Sequence, residues 1–294
     1  MRESGEHRLC VGGISHWVRI AGAGKSEFPL VIVHGGPGTS AHSLEEIGDR
    51  LAESVTVVLY DQRGCGRSEI PGDPATYTFA QLVDDLEDLR AALGYGRISL
   101  LGHSFGAVLA AEYTVTHPGR VRSLVMSGPP VVGPLHPGPL ALRAAAVDAY
   151  ATPATRKALR EAAIAASDRI DGLRRTGTAL RADEATMNRT LYHRAIPEPD
   201  TVRPRPSAPV NQEMAWRLIA AIRPGLVDDL ADVDPPTLVT VGLWDVAVGV
   251  DGPRDLSVRL PRGTLRLFLE SAHSPHLEEP AEFSLAIRRF LLSA

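Results

Sequence analysis

Gly102-His103-Ser104-Phe105-Gly106 stands between an apolar run, ISLL, and a helical run, AVLAAEY. A serine with glycine two positions before and two after it, in strand–turn–helix context, sits on a cramped turn that exposes its hydroxyl. A serine hydroxyl is a poor nucleophile until a base removes its proton, and that base needs an acid to hold its tautomer. At such a turn the partners follow along the chain as acid, then histidine. Asp245 comes directly after TLVTVGLW and His273 just after TLRLFLES. Both therefore stand at the ends of apolar runs, where α/β sheets present ligands and chemistry. Asp251 is the alternative acid on the same loop, and His276 the alternative base, slightly further from its run. His103 adjoins the serine, but neighbouring side chains diverge at a sharp turn, so it is expected to pack beside the turn and orient it.

When a serine attacks an acyl carbon, the carbonyl oxygen becomes an anion that preorganised N–H groups must stabilise. His34-Gly35-Gly36-Pro37-Gly38 follows the run VIV, and its glycines let backbone approach that oxygen closely. The Phe105 amide is expected to pair with one from this loop, Gly36 first and Gly35 second; Pro37 has no N–H to give. His34 is read as support for the loop. Gly24-Lys25-Ser26 looks like the end of a phosphate loop, but Arg19 occupies the place of the first glycine and the segment precedes a strand, so it is read as an exposed turn.

The elements that must position these residues alternate. LVIVHGG, SVTVVLYDQ, RISLLGHS and VRSLVMSGP are β-branched runs closed by Gly or Pro, with helical patterns between them, which predicts βαβ units and a mostly parallel buried sheet. Thr78 and Gln81 have capping-box spacing ahead of Leu82, Leu86, Leu89 and Leu93, predicting a helix that packs one face on the sheet. From 133 to 224 the β-branched runs vanish and Ala, Arg and Leu dominate, with IPEPDTVRPRPSAP too rich in proline for helix. The expected fold is α/β, a core of residues 1–132 and 225–294 with a helical cap of residues 133–224 inserted between strands. The sheet pattern resumes after Pro236, and Pro280 opens a terminal helix carrying Phe283, Ile287 and Phe290 on one face.

The 294 residues carry 31 basic and 35 acidic side chains, a net charge of -4, and 44% hydrophobic residues. That balance argues against a nucleic-acid partner. No apolar run approaches the length needed to span a bilayer, so a cytoplasmic protein without a membrane partner is expected. Cys10 and Cys65 are too few for a disulfide framework or a zinc site and are read as free thiols. No metal or organic cofactor is implied.

HGGPG, then Tyr60-Asp61-Gln62-Arg63-Gly64-Cys65-Gly66-Arg67-Ser68, the Ser104 turn and finally SAHSPHLEEP together resemble the proline iminopeptidases and their wider α/β-hydrolase family. The resemblance covers the core and not the insert. It implies an α/β-hydrolase fold, Ser104 as nucleophile, Asp245 as acid, His273 as base, and HGGPG with Phe105 as the oxyanion hole. It also implies that Asp61 and Arg63 form buried polar contacts bracing the oxyanion loop. The chain departs from the family's GGSWG in having His103 and Phe105. Such peptidases hold the substrate's amine with acidic residues of the lid, for which Glu213 in NQEMAW is the first candidate, with Glu198 and Asp200 behind it. The implied function is removal of an N-terminal proline or small apolar residue from a short peptide. The alternatives are an esterase, lactonase or amidase acting on a small specialised metabolite, and a non-catalytic binding protein of the same fold.

Overall fold

The computed structural model describes residues 3–130, 149–168, 171–172, 174–175, 178–179, 183–193 and 210–294. Short runs of branched apolar residues form strands buried on both faces: β3 (Leu30–Val33), β4 (Val57–Tyr60), β5 (Ile98–His103), β6 (Val121–Ser127) and β7 (Thr237–Gly242). Their near-continuous burial, broken at Arg122 of β6, is what a parallel sheet covered by helices requires. With β1 (Gly5–Val11), β2 (Ile14–Ala21) and β8 (Gly263–Phe268) they make one eight-stranded sheet, ordered β1-β2-β4-β3-β5-β6-β7-β8. The β1/β2 and β2/β4 pairs are antiparallel; every other pair is parallel.

Helices cover both faces and divide the core in two. On one side α2 (Phe79–Ala92) and α3 (Phe105–Thr116) bury Leu82, Leu86, Leu89, Val108 and Leu109 against Val31, Val58 and Leu100. On the other, α1 (Glu45–Leu51) and the terminal helix bury Ile47, Leu51, Phe283 and Ile287 against Ile32, Leu59 and Leu101. Thr78 caps α2, its Oγ1 accepting from the Gln81 amide at 3.1 Å. The reciprocal half of the expected capping box is absent, because the Gln81 side chain donates to Asp85 instead.

Between β6 and β7 come α4 (Pro153–Ile164), α5 (Glu184–Leu191), α6 (Gln212–Ala221) and α7 (Leu226–Ala231). Of the expected cap, residues 133–148 and the proline-rich IPEPDTVRPRPSAP lie outside the described residues. After β7 follow α8 (Asp251–Arg259), then β8, α9 (Pro275–Glu278) and α10 (Pro280–Ser293). Among the described residues no helix is long and apolar enough to cross a membrane.

Candidate active site

Ser104 stands between β5 and α3 at φ 53°, ψ −123°, and is the one non-glycine with positive φ among the described residues. A side chain in that region is strained and persists only where its surroundings over-determine it. The Ser104 amide donates to the Ser127 carbonyl of β6 at 2.8 Å. The flanking glycines are required sterically. A Cβ on Gly102 would lie 2.2 Å from the Gly106 carbonyl oxygen, and one on Gly106 would lie 2.1 Å from that of Val33. Gly106→Ala is therefore expected to destabilise the fold by at least about 1–3 kcal/mol, the usual cost of overpacking. An unchanged urea midpoint would contradict that closure of the turn.

His273, on the loop after β8, places its Nε2 2.9 Å from Ser104 Oγ and its Nδ1 2.8 Å from Asp245 Oδ2. With the Nδ1–H donating to Asp245, Nε2 is left to accept from the serine hydroxyl. The other carboxylate oxygen accepts from the amides of Ala247 at 2.8 Å and Val248 at 3.0 Å. Asp245 is 4% exposed. Burial pushes its carboxyl upward, but the facing His273 and the amides of Val248 and Ala247 outweigh this and hold it below the ordinary carboxylate range.

His273 is also held by its backbone. Its N–H donates to the Leu191 carbonyl at the end of α5 at 3.0 Å, and its carbonyl accepts from His103 Nε2 at 2.9 Å. His103 thus packs beside the turn, as expected. Burial, and then the neighbouring His273, lower its pKa to about 4, so it donates as a neutral ring. Two further contacts join the end of α5 to this corner: the His193 amide donates to Glu278 at 2.6 Å, and the His193 ring stacks on Trp244 at 4.4 Å. The alternatives stand elsewhere. Asp251 is exposed and faces Arg254, while His276 is buried with its ring against His103 and Phe283.

The HGGPG loop lies directly against the turn. A Cβ on Gly35 would stand 2.7 Å from the His103 carbonyl oxygen and 3.0 Å from Ser104 Cβ. Among the described residues, neither the Gly36 nor the Phe105 amide meets a protein acceptor. His34 supports the loop. It accepts from the Gln62 amide at Nε2, which assigns the proton to Nδ1, and that N–H donates to the Gly35 carbonyl at 2.9 Å. The Gln62 side chain returns to the His34 carbonyl at 2.7 Å.

The expected bracing needs one correction. Asp61 does anchor the segment after the loop, accepting from the Ala41 amide at 2.7 Å and from Arg67. Arg63 faces away, forked onto Asp85 at 2.7 and 2.8 Å and donating to the Gly12 carbonyl. The loop is held instead by Gln62 and by Asn211, whose amide donates to the Gly38 carbonyl at 2.8 Å. Sequence reasoning passed over both. Gln62 was in plain view inside the DQRG segment, and Asn211 carries the signature of a helix cap ahead of α6.

Glu213 lies in the first turn of α6 with its side chain 56% exposed, accepting from Arg217 Nε at 2.6 Å. Glu198 and Asp200 lie outside the described residues. Cys65 is buried 3.3 Å from the Met214 sulfur, and burial raises its thiol well above the ordinary range, while Cys10 is exposed. Lys25 donates to the carbonyls of Ala52 and Glu53 at the end of α1.

The family model for the alpha/beta hydrolase fold matches residues 29–280, a span that takes in the HGGPG loop, Ser104, Asp245 and His273. The chain belongs to the α/β hydrolase fold family. This α/β hydrolase is 27% identical over 278 residues to a proline iminopeptidase of Heyndrickxia coagulans, covering 90% of the chain and 91% of the relative. It is 29% identical to that of Lactobacillus delbrueckii subsp. lactis, covering 98% of each. Among solved structures, VinJ superposes with a TM-score of 0.76 at 25% identity over 99% of both chains. The proline iminopeptidase of Mycobacterium smegmatis superposes with a TM-score of 0.67 at 24% identity over 98% of both, a likeness of fold. Together these findings support a hydrolase.

Proposed function

We propose that this α/β hydrolase cleaves an amide or ester through an acyl-enzyme on Ser104, and that its substrate is a short peptide or amino-acid amide beginning with proline or a small apolar residue. The observation that carries the chemistry is the continuous hydrogen-bonded chain Ser104–His273–Asp245. Ser104 Oγ attacks the carbonyl carbon as His273 Nε2 takes its proton, and Asp245 stabilises the imidazolium. The oxyanion is received by the Phe105 amide with that of Gly36, or Gly35 in its place. His273 then gives its proton to the leaving group, activates a water against the acyl-enzyme, and the acid departs. Residues 133–224 form the cap over the core of residues 1–132 and 225–294, enclosing the substrate.

The choice of a peptide amine is supported by the proline iminopeptidases that match the chain over most of its length. In this reading Glu213 receives the amine, exchanging Arg217 for the substrate cation. One observation favours a second reading, an esterase or amidase for an uncharged acyl group. A buried ammonium needs a carboxylate of its own, whereas Glu213 is exposed and paired, Asp85 is held by Arg63 and Glu112 by Arg223. Proline p-nitroanilide, its N-acetyl derivative and p-nitrophenyl acetate separate the two readings. The aminopeptidase is expected to turn over the free amine and to lose about 100-fold or more on acetylation, the scale of a buried ion pair deprived of one partner. Equal cleavage of both anilides, or cleavage of the ester alone, would establish the second reading.

A further inference from the structure

We propose that Asn211 is a positioning residue for the oxyanion loop, so that the segment inserted between β6 and β7 contributes to turnover as well as to substrate choice. The proposal rests on the reading of HGGPG as the source of one oxyanion donor.

Asn211 uses every hydrogen-bonding group it presents to the site. Its backbone N–H donates to the Gly38 carbonyl at 2.8 Å. Its Oδ1 accepts from the Met214 amide at 3.1 Å, capping α6. Its Nδ2 donates to the Gly64 carbonyl at 2.9 Å and to the Tyr77 hydroxyl at 2.8 Å. One residue therefore ties the last turn of the HGGPG loop, the DQRG loop and a helix of the insert into a single joint.

The loops on either side are shaped to receive it. Gly38 sits at φ +85°, and a Cβ there would stand 2.3 Å from the Asn211 carbonyl oxygen. Gly64 sits at φ +68°, where a Cβ would stand 2.8 Å from Asn211 Nδ2 and 2.5 Å from the Tyr77 hydroxyl. Both glycines are in a backbone region that side-chain-bearing residues seldom adopt. The bond to the Gly38 carbonyl holds the Gly38–Thr39 peptide, and Thr39 Oγ1 in turn donates at 2.9 Å to the Gly35 carbonyl, the other end of the peptide whose N–H is that of Gly36, the proposed donor. The side-chain bonds keep Asn211 itself from shifting. Asn, Asp and Ser cap helices about equally well, so capping alone does not select Asn. Two donors aimed at a carbonyl and a hydroxyl do.

The test uses Asn211→Ser, which keeps a capping oxygen and removes both donors, and Asn211→Asp, which keeps the cap and sets an anion against the Gly64 carbonyl. Each is assayed for kcat and KM on p-nitrophenyl acetate, for its urea midpoint, and for binding of a trifluoromethyl ketone and of the carboxylic acid product. The ketone mimics the reaction: Ser104 Oγ adds to its carbonyl carbon, the proton passes to His273, and the carbonyl oxygen becomes the bound anion. Loss of one oxyanion donor costs about 100- to 1,000-fold in kcat, so a displaced donor is expected to cost about 10- to 100-fold. The ketone should weaken by the same factor while KM and product affinity stay within about twofold. A kcat within twofold of wild type in both variants would overturn the proposal. So would a parallel decline of kcat, product affinity and urea midpoint, which is the pattern of a structural cap alone. Ser104→Ala in the same assay separates the two layers. An active Ser104→Ala removes the underlying reading, whereas an inactive one beside unimpaired Asn211 variants removes this proposal alone.

Discussion

Ser104→Ala is expected to lower kcat on proline p-nitroanilide and p-nitrophenyl acetate alike by about a millionfold, the loss seen when the nucleophile of a serine triad is removed. The substitution removes a single oxygen. The strained φ of Ser104, the bond from its amide to Ser127 and the two required glycines all involve backbone that alanine retains. The urea midpoint is therefore expected to stay level, and far-UV circular dichroism to be unchanged. What remains, about a thousand- to ten-thousandfold over water, is the share of the oxyanion hole and of binding. A variant within tenfold of wild type on either substrate would mean that another group attacks the carbonyl.

Asp245→Asn is expected to cost about ten-thousandfold in kcat, because an amide in that place imposes the wrong tautomer. The two oxygens of Asp245 have different duties. Oδ1 accepts from the Ala247 and Val248 amides, and Oδ2 from His273 Nδ1. Asparagine has one oxygen, and two backbone donors claim it. Its NH2 then faces His273 Nδ1, which must accept, so the imidazole proton moves to Nε2 and the ring can no longer take a proton from Ser104. Stability follows the same group. The Asp245 carboxyl is held below its ordinary value, so its ionised form favours the folded state. That contribution is fully present above the unfolded carboxyl pKa of about 3.9 and is lost as pH falls through the lower folded value. Urea midpoints of wild type and variant are accordingly expected to converge on acidification, and kcat measured at neutral pH tests the tautomer argument. A loss of less than about a hundredfold would reject it.

These two residues were legible because their signals are short-range. A serine between spaced glycines and a polar residue just past an apolar run are local patterns, and the order of serine, acid and base follows the order of strands. The central strands were legible for the same reason, since LVIV and VVLY have no polar face to confuse the reading. The N-terminal hairpin of β1 and β2 was missed. β1 lies at the sheet edge with four of its seven residues exposed, and its sequence GEHRLCV shows no clean apolar run. Gln62 and Asn211 escaped because their partners, His34 and Gly38, stand far away along the chain. Arg63 was assigned to the wrong neighbour because the DQRG loop turns through Gly64 at φ +68°, and nothing local says that Asp85 on α2 waits opposite.

The inserted segment meets the proposed catalytic corner through two main-chain bonds, the Leu191 carbonyl on His273 and the Asn211 amide on the HGGPG loop, and through the side chains of His193 and Asn211. The two main-chain bonds place no demand on side-chain identity, though the Asn211 side chain that steadies one of them does. They do make demands on geometry. An insert transplanted from another member of the family is expected to work only if its two backbone plugs arrive at the same separation. For whoever re-engineers this protein, lining and seating are separate design variables: the first is open to point substitution, and the second must be carried over as a unit.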